Sequence, residues 1–191
     1  MRGFTLIELL VVIAILAVLA TATVLVLNPA ELLKQGRDST RVSDLAALNS
    51  AVSLWVSDVQ NTTTNWPAVN TYNCTYSVTL PTAGGSSCSI NSNTTVNGTV
   101  GWVPLNFTLI TSGSPLSRLP IDPANGSTNC SRGTPAVCEY AFAASSTVGI
   151  YEMDTQLESA KFNTGGGSHL TDKDGGNDSN WYEMGSNLSL F

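Results

Sequence analysis

The stretch Gly3-Phe4-Thr5-Leu6-Ile7-Glu8-Leu9-Leu10-Val11-Val12-Ile13 opens an apolar run that continues to Leu27. From Phe4 to Leu27 there are 24 residues and one charge, Glu8. As a helix rising 1.5 Å per residue, the run is about 36 Å long, enough for a bilayer core of roughly 30 Å. A secretory signal peptide has a shorter apolar core, about 7–15 residues, and a small-residue cleavage site. This run is too long for that and carries a charge near its start. Only Arg2 precedes it, so the positive-inside rule keeps the N-terminus cytoplasmic and sends the rest of the chain outward.

The composition agrees with an exported chain. Of 191 residues, 42% are hydrophobic and only 12% charged, with a net charge of -6. Polarity rests instead on 22 Ser, 22 Thr and 16 Asn. Eight basic residues in an acidic chain exclude a nucleic-acid groove, which needs clustered Lys and Arg. Cys74, Cys88, Cys130 and Cys138 show no C-x-x-C pair, which argues against zinc and for two disulfides in an oxidising compartment. Sequence allows three connectivities; Cys74–Cys88 with Cys130–Cys138 closes the shortest loops and is the expected one.

Glu8 needs a reason. A carboxylate in a membrane segment costs at least about 2.5–3.5 kcal/mol at the centre and less near the interface. Either it reaches the headgroups from its place one turn in, or it meets a cation from another subunit. No Lys or Arg lies inside the apolar run.

Residues 3–13 resemble the type IV prepilin signal, the G-F-T-L-x-E motif ahead of an unbroken apolar run. The resemblance implies a leader, residues 1–3, cut between Gly3 and Phe4 by a prepilin peptidase, with N-methylation of Phe4. It also implies that Glu8, fifth after the cut, neutralises the Phe4 amine of an adjacent subunit during assembly. The three-residue leader is shorter than many in the family and leaves peptidase recognition to Gly3.

Past the anchor, Asn28-Pro29-Ala30-Glu31 is a helix start: Asn as N-cap, Pro at the first helical position, and Glu placed to close a capping box. Pro29 cannot bond back to Leu25, so the helix is kinked or broken near 25–29. Apolar residues then fall at Leu45, Leu48, Val52, Trp55 and Val59, one stripe of an amphipathic helix over 28–60. Upstream, Glu31, Lys34, Arg37, Asp38, Arg41 and Asp44 form a mixed-charge collar. It reads as a solvated face laced with weak pairs, or as contacts between subunits. Pro67 discourages continuation of the helix.

Residues 61–191 read as a β-rich exported head with strands expected over Thr75–Leu80, Val137–Ala143, Val148–Met153 and Trp181–Leu188. The layout is α+β: an amphipathic helix packed on a small antiparallel sheet. Leu119-Pro120-Ile121-Asp122-Pro123, followed by Tyr140-Ala141-Phe142, resembles the L-P-x-D-P turn and later aromatic strand of pilin and pseudopilin heads.

Thr171-Asp172-Lys173-Asp174-Gly175-Gly176-Asn177-Asp178 offers carboxylates at Asp172, Asp174 and Asp178 that could hold calcium, although glycine comes too early for an EF-hand. Its place before the last strand resembles the calcium loop of major pseudopilins of type II secretion. No other cofactor is expected, and none is required. Nine N-x-S/T sequons, at Asn61, Asn73, Asn93, Asn97, Asn106, Asn125, Asn129, Asn177 and Asn187, suggest a glycosylated surface.

Enzyme readings find little support. His169 is the single histidine and adjoins Gly165-Gly166-Gly167, no nucleophile elbow is present, and nothing places Asp122 beside Glu139 as a carboxylate pair. Trp55, Trp66, Trp102 and Trp181 are too scattered for a conduction path and read as core or turn packing.

The expectation is therefore a structural subunit of a type IV pilus-like filament. It is held in the cytoplasmic membrane as a precursor, processed by the peptidase, and polymerised by the pilus assembly machinery into an extracellular homo-oligomer. A heterologous contact that does not close generates such a helical filament. The alternatives are a major pseudopilin of a type II secretion system and a membrane-anchored surface-binding module.

Overall fold

The computed structural model describes residues 3–59, 62–77, 88–98, 100–130, 132–133 and 135–191. Helix α1 (Leu6–Leu27) starts at a complete capping box: the Thr5 hydroxyl accepts the Glu8 N–H, and the Glu8 carboxylate accepts the Thr5 N–H at 2.8 Å. Thr21 and Thr23, the two hydroxyls within the helix, donate to the carbonyls of Ala17 and Ala20. Both polar side chains are thereby satisfied inside an apolar rod, as a lipid environment demands.

The break falls at Asn28, which takes a left-handed conformation (φ 39°, ψ 72°). Its side chain accepts the Glu31 N–H at 3.4 Å, and Pro29 takes the first position of α2 (Pro29–Asp58). The expected capping box here is only half made. The Glu31 carboxylate turns away to accept the Ala160 N–H at 2.7 Å and the Lys161 N–H at 3.4 Å.

The amphipathic stripe is the seam of the core. Leu45, Leu48, Val52 and Trp55 are fully buried and Val59 nearly so. Each large side chain so buried contributes about 1.5–3 kcal/mol. They pack with Trp66, Trp102, Phe107, Leu119, Tyr140, Phe142, Tyr151 and Met153. All four tryptophans are buried, and Trp55, Trp66 and Trp102 donate their indole N–H to the carbonyls of Asn106, Ser145 and Pro120.

After a four-residue helix α3 (Thr62–Asn65), the head forms a five-stranded sheet: β1 (Thr71–Cys74), β2 (Ser89–Ile90), β3 (Tyr140–Ala144), β4 (Tyr151–Thr155) and β5 (Tyr182–Gly185). The order is β2-β1-β3-β4-β5, with β1–β2 parallel and every other pair antiparallel. The fold is α+β.

Three expected strands are present with shifted bounds, but the one expected over Thr75–Leu80 is not: residues 75–77 carry no strand, and β1 and β2 stand where none was expected. β1 ends at Cys74 because Tyr76 and Ser77 give their N–H groups to the Glu139 carboxylate, not to a neighbouring strand. Residues 78–80 of that expectation lie outside the described residues. The chain before Tyr140 is instead tied to a turn, with Cys138 N–H donating to Ser127 and Gly126 N–H donating to Cys138. β4 starts only after Gly149, whose φ of 78° closes a turn at 147–150.

Candidate functional site

At the N-terminus, Phe4 and all residues of α1 whose side chains are described are exposed, with Leu6 82% and Val26 83% accessible. An uninterrupted exposed apolar surface of this length needs lipid or other chains to cover it. Among the described residues one helix is long and apolar enough to cross a membrane. Glu8 sits one turn in, and its Oε2 serves both the Thr5 N–H and the Thr5 hydroxyl (2.6 Å). The cap uses only Thr5 and Glu8, so it does not depend on residues 1–3.

The charged collar of α2 is not simply a solvated face: Glu31, Arg37, Asp38, Arg41 and Asp44 all reach the head. Arg41 is fully buried and uses its whole fork. Nε and Nη2 hold the Asp122 carboxylate at 2.7 and 2.9 Å, Nη1 holds Asp38 at 2.8 Å, and Nη2 also reaches Glu158 at 2.8 Å. Arg37 adds a bidentate grip on Glu158, at 2.8 and 2.6 Å. Asp38 in turn accepts the N–H groups of Glu158 and Ser159, both at 2.8 Å. Burial pushes the Glu158 carboxyl up, but Arg37 and Arg41 outweigh it and hold the group below its ordinary value. Arg41 likewise keeps its charge despite burial, because Asp122 and Glu158 raise its pKa. Further along, the Tyr140 hydroxyl donates to Asp44 and the Tyr151 hydroxyl to Asn49, each at 2.7 Å. The collar locks α2 to its own head, and Asp122 of the L-P-x-D-P turn is the carboxylate that receives it.

The two disulfides are Cys74–Cys88 and Cys130–Cys138, with Cα–Cα distances of 5.6 and 4.9 Å. Cys130, Cys138 and Glu158 form the one tight gathering of metal-type ligand atoms among the described residues. Both sulfurs there are oxidised, and Glu158 is held by arginines, so no metal fits.

Of the acidic loop residues, Asp172 is exposed, accepts the Thr164 hydroxyl at 3.0 Å and lies 3.6 Å from His169 Nδ1. Asp174 and Asp178 are half-buried and bind the loop's own backbone: Asp174 accepts from Gly176 and Glu183, and Asp178 from Asn180. Both act electrostatically on Asp154 of β4, a residue the sequence reading did not single out. The signal was there in Tyr151-Glu152-Met153-Asp154, whose alternation puts both acids on one face.

Among the sequons, Asn93, Asn97, Asn129, Asn177 and Asn187 are exposed, and Asn106 and Asn125 are half-buried. Asn61 lies outside the described residues. Asn73 is buried and donates its amide N–H to the Trp102 carbonyl at 2.8 Å, so it is not a surface site in the folded head. Asp122 and Glu139 do not pair: one is held by Arg41, the other by the Tyr76 and Ser77 N–H groups.

Among the described residues, one apolar helix leading into a disulfide-closed α+β head fits a membrane-anchored precursor. Residues 1–24 match the family described as the prokaryotic N-terminal methylation motif, so the chain carries the type IV prepilin signature, which supports a pilin-like or pseudopilin-like protein. No curated protein and no solved structure matches it significantly.

Proposed function

We propose that the chain is a structural subunit of a type IV pilus-like extracellular filament, built around α1 as its core. The observation that carries this reading is the prepilin signature on a helix whose apolar surface is exposed throughout, joined to a head with a complete core of its own. Cleavage after Gly3 would free the Phe4 amine, to be methylated by the processing enzyme. In the bilayer Glu8 caps its own helix through Oε2. Its other oxygen then takes the Phe4 amine of a neighbour. Bundled α1 helices bury their apolar surface against each other once they leave lipid. An unpaired Glu8 in that core is costly, so the pairing sets axial register.

Intact and N-terminal mass spectrometry of material sheared from cells tests the processing: a chain starting at methylated Phe4 is expected, and one still starting at Met1 overturns it. For assembly, Glu8→Ala is expected to leave the head folded and the precursor in the membrane while cutting filament yield about tenfold or more. Normal filament yield would sink the register role. The acidic loop 172–178 favours a second reading, a pseudopilin of type II secretion, for which only short, cell-bound filaments would be found.

A further inference from the structure

The first turn of α2 is apolar on its outside. Leu32 and Leu33 are 54% and 66% exposed, whereas Leu45 and Leu48 further along the same helix are fully buried. They follow Leu27, the last residue of α1, by five and six residues, about 8–9 Å at 1.5 Å each. With Glu8 at the inner boundary of a bilayer, Leu9 to Leu27 cover about 28 Å, close to a hydrocarbon core of roughly 30 Å. The headgroup layer beyond is about 5–7 Å deep. Helical side chains lean toward the N-terminus of their helix, so Leu32 and Leu33 lean back from α2 onto that layer.

The head meets α2 at the same level. Glu31 accepts the N–H groups of Ala160 at 2.7 Å and Lys161 at 3.4 Å, which brings residues 160–162 beside this first turn. Lys161 is exposed, and its Nζ stands 5.2 Å from the centre of the half-buried Phe162 ring. Lys34 comes three residues after Glu31, on the same side of the helix. The carboxylates near these lysines are committed elsewhere. Glu31 holds the two N–H groups, Asp38 and Glu158 hold the buried arginine network, and Asp172 accepts the Thr164 hydroxyl. Among the described residues neither Lys34 nor Lys161 makes an ion pair.

We propose that the base of the head is seated on the bilayer that holds α1, with Leu32 and Leu33 at the headgroup boundary and the Lys34 and Lys161 ammoniums on the phosphates of anionic lipid. Lipid is the occupant because this surface continues the exposed surface of α1 and lies where the span leaves the hydrocarbon. Its two free charges are both cationic, which a phosphate layer complements. Lysine stems lie along apolar surface and keep their ammoniums at the polar level, so Leu32, Leu33 and Phe162 can share one boundary with Lys34 and Lys161. The seat fixes how the head stands on the membrane before any assembly. It rests on α1 spanning a bilayer and not on the filament.

The test places the full chain in lipid nanodiscs of phosphatidylcholine, alone or with about one-third phosphatidylglycerol, and reads lysine acylation by a water-soluble reagent through peptide mass spectrometry. Lys34 and Lys161 are expected to react about fivefold more slowly in the phosphatidylglycerol discs than in detergent, with a smaller slowing in phosphatidylcholine alone. High salt should remove the difference between the two lipids. Leu32→Ser combined with Leu33→Ser is expected to lose most of the protection while the head melts at an unchanged temperature, since both side chains are exposed. Equal reactivity in both discs and in detergent, with the chain still retained in the discs, would overturn the seat and leave the anchor standing. Protection that follows the number of chains per disc and not the lipid would assign the surface to a second copy and overturn it too, as would full protection in the double variant. A chain not retained in the discs at all would overturn the span and the seat together.

Discussion

Arg41 presents five donors in a rigid fork, and three carboxylates from three parts of the chain converge on it: Asp38 from α2, Asp122 from the proline turn and Glu158 from the segment after β4. Removing it would leave three buried acids with one remaining cation, Arg37, itself 31% exposed. Arg41→Met is therefore expected to destabilise the head by about 3–5 kcal/mol in urea unfolding. Arg37→Ala, at the wet edge of the same network, should cost about 1 kcal/mol or less. Pairing Arg41→Met with Asp122→Asn should recover part of the loss, a coupling that a simple packing defect would not show.

At the scale of elements, the disulfides close two short loops, Cys74–Cys88 and Cys130–Cys138. Cys130–Cys138 spans eight residues beside the turn at 126–127. Replacing both cysteines with alanine should cost about 2–3 kcal/mol, measured as a lower urea midpoint with an unchanged slope. The elements themselves were legible to different degrees. The apolar run and the stripe from Leu45 to Val59 were plain, because hydrophobic periodicity is a local property of the chain. Three strands were placed approximately, and β1 and β2 were missed. Their ends are set by Glu139 and by the 126–127 turn, groups distant in sequence that capture backbone N–H groups at each end. The collar misled for the same reason. Charges at helical spacing look solvated until Asp122 and Glu158, 81 and 117 residues away, fold onto Arg41. Asp154 was missed although the alternation at 151–154 puts it with Glu152 on one face, because that local pattern does not tell that the face is buried.

For the whole molecule, opposing titrations shape stability, with Glu139 on one side and Glu158 on the other. Burial raises Glu139 to about 7, although the Ser77 and Tyr76 N–H groups hold it down. The folded head thus holds this proton more tightly than the unfolded chain, and stability falls as pH rises from about 4.5 through 7, by up to about 3 kcal/mol. Glu158 works the other way. Its lowered pKa contributes stability above its ordinary value, and this is lost as pH falls below it. The head should be most stable on the acid side of neutrality, near pH 5. In thermal melts across pH, Glu139→Gln should make the limb above that maximum shallower, with the raised Glu152 and Asp154 carboxyls keeping the rest of it, and leave the acid limb in place.

Glu31, Asp38 and Arg41 also fix how the molecule carries a load. Every described side chain of the rod α1 is exposed, and below the left-handed joint at Asn28 the first grips are Glu31 on residues 160–161 and Asp38 on residues 158–159. A pull along α1 would reach the head through these hydrogen bonds and the Arg41 fork, all loaded side by side in shear. The strand pairings, which would open one rung at a time if peeled, lie downstream of that clamp. Strain along the rod would therefore be taken up first at the joint, while the sheet and the surface it displays stay at rest.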